Sequence, residues 1–171
     1  EAAGEEVDAS DIYLASAAPE AIKQHLHRPI TATIGTLNPN GSVHLAFVLF
    51  LWENGKLYFE TASMTRKAKN IAARQTASFA FEGQGFMAMA EGTGRVIDGN
   101  EAHAINRRLR KKYLTAPAAD TVGEAWGTVD DVAIEITPIK WRSWTNEPLR
   151  ELGQQAAGDL PPSDWWVAPA D

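Results

Sequence analysis

Apolar residues in the first half of the chain recur at the two-residue period of β-strands, and turn residues separate the runs. Residues 30–37 set Ile, Ala, Ile and Leu against Thr and Gly. Asn38-Pro39-Asn40-Gly41 then supplies a fixed φ at proline and a permissive one at glycine, so a turn is expected. Residues 42–52 form the next strand, and both of its faces are apolar: Val43, Leu45, Phe47, Leu49 and Leu51 on one, Ala46, Val48 and Phe50 on the other. An antiparallel strand in a single sheet wets one face. The pattern therefore predicts a strand covered twice, by a barrel interior on one side and by a second subunit or a cofactor on the other. Glu53-Asn54-Gly55-Lys56 carries the Asn-Gly hairpin signal, and residues 57–61 follow as a third strand.

Helical spacing enters between these runs. Residues 19–27 place Ile22 and Leu26 on one face, with Ser16 or a neighbour as cap, and residues 65–74 do the same with Ala68, Ile71 and Ala72. Strands are expected at 77–82 and 86–98. Residues 100–113 predict an amphipathic helix with Ala104, Ile105, Leu109 and Tyr113 inward and Arg107, Arg108, Arg110, Lys111 and Lys112 in water. Two last strands are expected at 132–138 and 140–145. The organisation is a flexible segment over 1–18, one domain over 19–146, and a Pro-, Gly- and Asp-rich tail over 147–171 in which Trp165 and Trp166 dock. Short strands, hairpin turns and two inserted helices make the fold class mainly β with inserted helices, a barrel rather than a βαβ fold. No Gly-x-Gly-x-x-Gly follows a strand and no Walker A sequence occurs, so neither nucleotide motif is supported.

Composition narrows the function. A net charge of -6 argues against nonspecific nucleic-acid binding, which rewards excess Lys and Arg. The absence of cysteine removes disulfides, thiolate metal sites and Cys nucleophiles, and suits a reducing cytoplasm. The longest apolar run, 43–52, falls short of the about 20 residues a bilayer span needs, and no basic-then-apolar leader opens the chain. No membrane partner is expected.

The chemistry concentrates in Thr61-Ala62-Ser63-Met64-Thr65-Arg66-Lys67-Ala68-Lys69-Asn70. A strand ends, hydroxyls fill the turn, and a helix begins with Thr65 placed as N-cap. Two cations in the first helical turn oppose the helix dipole. They fit if an anion sits there, where free N–H groups, the Ser63 and Thr65 hydroxyls, the Arg66 fork and the Lys67 ammonium converge on one phosphate. The plainer alternative is a solvated helix end.

At these residues the chain resembles the pyridoxamine 5′-phosphate oxidase-like superfamily of split β-barrel flavoproteins, which includes the F420-dependent reductases. The resemblance rests on Leu57-Tyr58-Phe59-Glu60-Thr61, Thr65-Arg66-Lys67, Asn70-Ile71, Ala77-Ser78-Phe79-Ala80-Phe81 and Ala90-Glu91-Gly92-Thr93-Gly94-Arg95-Val96. It implies a dimeric split β-barrel binding FMN or coenzyme F420. Arg66 and Lys67 would hold the phosphate, with Thr61, Ser63 and Thr65 nearby. The strand carrying His44, Ala46 and Val48 would run under the ring, and Trp126, Trp141 or Trp144 would wall the pocket from either chain. The family's oxidases carry a C-terminal Arg/His motif for substrate phosphate; Lys140-Trp141-Arg142-Ser143-Trp144 departs from it, which directs the reading away from vitamin B6 chemistry. The implied activity is hydride transfer from the cofactor to a small conjugated molecule, with no catalytic side chain named. A noncatalytic flavin, haem or F420 carrier on the same barrel is the alternative, and a structural dimer without cofactor a third.

Other candidates carry less. His25 and His27 at i, i+2 do not share a helix face, so no metal site is expected there. His44 is a cofactor contact or a hydrogen-bonded structural residue, and His103 a surface one. The basic run 107–112 is read as a solvated helix face that would, if F420 is the cofactor, attract its anionic tail. Asp130 and Asp131 are read as turn residues.

Overall fold

The structure is a computed structural model that describes residues 13–14, 20–83, 86–127, 130–145 and 147–165. Among these residues, eight antiparallel strands form one sheet: β1 (Tyr13–Leu14), β2 (Thr31–Leu37), β3 (Val43–Leu49), β4 (Leu51–Glu53), β5 (Lys56–Thr61), β6 (Thr76–Gly83), β7 (Phe86–Ile97) and β8 (Val132–Thr145). Their order is β3-β2-β6-β7-β8-β5-β4, with β1 paired to β8. The helices are α1 (Glu20–His25), α2 (Arg66–Arg74), α3 (Gly99–Tyr113) and α4 (Glu147–Ala157). Residues 116–126 form a further short helical run whose middle, Ala119–Gly123, is wound as a π-helix.

The two expected hairpins form. Asn54 and Gly55 both take positive φ, 51° and 74°, as a primed turn requires. Gly41 has φ 83°, and the Asn38 N–H donates to Ser42 O at 2.9 Å. The expected strand 42–52 breaks at Phe50, where the Tyr113 hydroxyl accepts from the Phe50 N–H at 3.0 Å and reaches its carbonyl at 2.8 Å. The two expected strands at 132–138 and 140–145 are one strand, β8. Its register against β7 passes from Glu91↔Lys140 to Gly92↔Pro138, so Ile139 is an extra, bulged residue. The bulge crowds Gly92: a Cβ there would lie 2.3 Å from Thr137 O.

The sheet curls, bringing β3 back against β5. Its interior holds Ile34, Phe50, Leu57, Phe59, Phe79, Ile134 and Ile136, with Trp52, Phe79 and Trp141 meeting edge to face. α1 closes the end where β2 begins through Ile22 and Leu26; α2 closes the other through Ala68 and Ile71. A second cluster lies outside the barrel, where Ala102, Ile105 and Leu109 of α3 cover Leu51, Tyr58, Ile97 and Ala133.

The wet side expected for α3 needs correction. Arg110 is buried and Lys112 half-buried, whereas Ala104 is exposed and Ala102 takes the inward place. Lys112 donates to Leu26 O at 2.8 Å and Phe50 O at 2.9 Å, and sits 3.9 Å over the Phe50 ring. Long cationic stems reach back over apolar ground when carbonyls or carboxylates wait there. Part of the expected tail is helical: α4 is followed by a turn that brings Trp165 back, its Nε1 donating to Leu160 O at 3.1 Å. The expected N-terminal helix start at Pro19, its cap at Ser16, and Trp166 lie outside the described residues. No helix among the described residues is long and apolar enough to cross a membrane.

Candidate functional site

β5 ends at Thr61 and α2 begins at Arg66, so the loop between them delivers hydroxyls to a helix N-terminus. Thr65 has the extended backbone of an N-cap, φ -67° and ψ 154°, yet its side chain makes no cap bond. Its hydroxyl turns back to donate to Ala62 O at 2.9 Å, and lies 3.0 Å from the Thr61 hydroxyl. The first intrahelical bond runs from the Lys69 N–H to Thr65 O. The N–H groups of Arg66, Lys67 and Ala68 therefore remain open at the positive end of the dipole.

Both cations lack an acidic partner among the described residues. Arg66 is exposed; Lys67 is half-buried, and burial alone pushes its ammonium below the usual lysine range. A partly desolvated cation beside open N–H groups fits an anion. Ser63 stands differently from Thr61 and Thr65. Its hydroxyl donates to Asp130 Oδ2 at 2.6 Å, tying the loop to the segment before β8.

α2 is anchored to the end of β2 by Asn70, buried, whose Nδ2 donates to Thr36 Oγ1 and Asn38 Oδ1, each at 3.1 Å. Thr36 pairs with His44 across the ladder, so β3 starts beside α2, and Ala46 and Val48 follow along it away from the helix. Among the described residues β3 is an edge strand paired only with β2, which leaves a row of its N–H and C=O groups without ladder partners there. Its odd face is bare: Val43 is 61%, Leu45 65% and Phe47 83% exposed. On that face lies a cleft of about 370 Å³, floored by Thr33, Gly35, Ser78 and Ala80 and walled by Leu45 and Met89. The apolar surface continues to Met87 on β7.

Trp126 lies elsewhere, and Trp144 borders the Met87 end of that apolar surface. Trp126 ends the helical run beside α3 and is half exposed; Trp144 is half-buried on β8, opposite Met87 and Tyr13. Trp141 points into the barrel with Trp52 and Phe79. His25 meets Phe86 at a tilt of 53°, with ring centroids 4.5 Å apart. Among the described residues, no group of three His, Asp or Glu side chains is placed to hold a metal ion.

Asp130 and Asp131 are more than turn residues. Arg110 donates through Nη2 to Asp131 Oδ2 at 2.6 Å, through Nε to Glu60 Oε2 at 3.0 Å, through Nη2 to Glu60 Oε1, and through Nη1 to Gly123 O at 2.7 Å. The sequence hint was a run of polar side chains at 106 and 110, each directly following an apolar-stripe residue, Ile105 and Leu109; such positions border the buried face rather than oppose it. Asn70, next to Ile71, stands the same way.

The family model of the pyridoxamine 5′-phosphate oxidase matches residues 18–145. Among solved structures, the conserved hypothetical protein Rv2991 from Mycobacterium tuberculosis superposes with TM-score 0.69 at 22% identity, covering 96% of this chain and 99% of that one. A structure described as an F420 reductase gives TM-score 0.58 at 22% identity over 72% and 98%. The heme storage protein HutZ from Vibrio cholerae gives 0.60 at 10% identity over 74% and 93%. At these identities the structures share the fold. No curated protein matches the chain.

Proposed function

Because the chain belongs to the pyridoxamine 5′-phosphate oxidase family, we propose that it is an oxidoreductase binding FMN or coenzyme F420 at the start of α2 and over β3. The single observation that carries this reading is the pair Arg66 and Lys67, without acidic partners among the described residues, beside the open N–H groups of α2. Arg66, Lys67 and those amides would hold the phosphate, with the Thr61, Ser63 and Thr65 hydroxyls around it. The ring would lie along β3, near His44, Ala46 and Val48, where the outward backbone groups of Leu45 and Phe47, which the ladder to β2 leaves open, could meet its heteroatoms. The cleft floored by Gly35 and Thr33 suits a flat apolar body.

When bound, the cofactor carries hydride to or from a small conjugated substrate; the chain binds, orients and excludes water. The exposed face of β3 is too large and apolar to stand in solvent, which supports a homodimer in which a second copy covers it. Trp126 and Trp144 would reach a ring only from such a second copy.

The test is cofactor binding by Arg66→Ala/Lys67→Ala. Each lost charge-assisted contact should weaken FMN or F420 about tenfold or more, with the fold intact by circular dichroism. Unchanged affinity would overturn the site. Turnover of the reduced cofactor with electron acceptors then separates an oxidoreductase from a carrier, which would bind without turnover.

A further inference from the structure

Arg110 sits on α3, away from the loop that the proposed cofactor site uses, yet it holds both ends of that loop's support. It clamps Glu60, the residue before Thr61, and Asp131, the residue after Asp130, whose carboxylate holds Ser63. We propose that Arg110 is a positioning residue for the Thr61–Thr65 loop, acting through Glu60 and Asp131, and that proton uptake by Glu60 loosens that loop. The inference rests on the proposed function for what the loop binds, but not for the clamp itself.

The geometry is built for a clamp. The guanidinium is 8% exposed and Asp131 7% at the side chain, so neither is a surface pair that solvent would dissolve. Gly127 lets the arginine in: a Cβ there would lie 2.7 Å from Arg110 Nη1. Gly123 O, in the π-helical turn, takes one more N–H. Two carboxylates share one guanidinium, so one of them is the weaker acid. Burial raises Glu60 to about 7, with Arg110 opposing and Asp131 adding to the rise. Above that pH Glu60 grips the fork as a carboxylate; below it Glu60 is neutral and its hold on Arg110 weakens.

The surrounding charges do not replace Glu60. On α3, Arg107 is paired with Glu124 of the helical run at 2.8 Å, and Lys111 lies near Glu124 as well. Asp130 is turned to Ser63. Glu135, further along the same sheet face, is occupied by Lys56, Tyr58 and Arg95. A cavity of about 480 Å³, lined by Arg107, Arg110, Glu124, Asn100 and His103, opens beside Arg110, and the Glu60 side chain is itself 20% exposed, so water reaches it.

The experiment is amide hydrogen exchange of residues 61–67 in the ligand-free chain, wild type against Glu60→Gln, at pH 8 and pH 6. At pH 8 the variant should exchange about tenfold faster, the loss of one charge-assisted contact. At pH 6, where wild-type Glu60 is protonated, the two should converge. A merely structural defect would persist at both pH values, and equal exchange at pH 8 would overturn the proposal. Asp131→Asn should loosen the loop at both pH values, and Arg110→Lys should restore part of the protection that Arg110→Met loses; if the Arg110 variants fail to fold, the Glu60 comparison still decides. FMN and F420 titrations of the same proteins keep the two readings apart. Wild type that binds neither cofactor but shows the exchange pattern retains the clamp and refutes the cofactor reading. Wild type that binds a cofactor equally to Glu60→Gln at pH 8, with no exchange difference, retains the cofactor and refutes the clamp.

Discussion

Glu135 is buried on β8 and accepts from Arg95 Nε at 2.8 Å, the Tyr58 hydroxyl at 2.9 Å and Lys56 Nζ at 3.0 Å. Burial works to raise its carboxyl, but these three donors prevail and hold it at about 2. The folded value is below the ordinary one, so the stabilisation is present above about pH 4.5 and is lost as pH falls toward 2. Glu135→Ala should cost about 1–2 kcal/mol at pH 7, since solvent reaches Arg95 and Lys56. Urea melts should show that gap closing between pH 5 and pH 2. Lys112 has the opposite sign. Burial lowers its ammonium to about 8, although two carbonyls and the Phe50 ring favour the charge. Its burden on the fold is therefore present below pH 8 and relieved as pH rises toward its ordinary 10.5. Lys112→Met should remove that upward slope in thermal melts between pH 8 and 10. Neither residue was legible in the sequence. Hydropathy patterning assigns charged side chains to water, and only the fold reveals that a stem of several methylenes returns its head group to a waiting acceptor.

At the scale of elements, the strands were readable wherever one face is buried, because alternation and turn chemistry agree there. Asn54-Gly55 is the clearest case. The expectation of two strands at 132–138 and 140–145 does not hold: the ladder to β7 runs on through a bulge at Ile139, which is 72% exposed, and β8 is one strand. A local pattern cannot tell a bulge from a strand end, because the partner strand decides it. Gly92 is the part of β7 that makes room for the bulge. Gly92→Ala should lower stability by about 1–3 kcal/mol, measured by chemical denaturation, because the new Cβ meets the Thr137 carbonyl rather than a side chain that could swing away. The break at Phe50 and the helix α4 were not legible. The first depends on Tyr113, far away in sequence; the second lies in a stretch whose Pro and Gly content obscures an 11-residue helix.

For the whole molecule, the doubly apolar β3 was the most informative sequence feature. One face lies in the barrel through Val48, and the other is bare through Val43, Leu45 and Phe47. If a second copy covers it, Phe47→Glu should shift the sedimentation coefficient to that of a monomer while leaving circular dichroism unchanged; a monomeric wild type would contradict the proposed dimer. The loop at Thr61–Thr65 and the cations at Arg66 and Lys67 were readable because an unfavourable charge at a helix start calls for an explanation. The contacts around it, of Asn70 with Thr36, of Asp130 with Ser63 and of Arg110 with Glu60 and Asp131, were not, since each joins residues far apart in sequence.

The measurement that bears most directly on the central claim is a fluorescence titration of the purified chain with FMN and, separately, with F420, repeated on Arg66→Ala/Lys67→Ala. Saturable binding of one cofactor, weakened about 100-fold in the double variant by the loss of two charge-assisted contacts, is the predicted result. Binding of neither, or equal binding by wild type and variant, would contradict the account and return both cations to the solvated end of a helix.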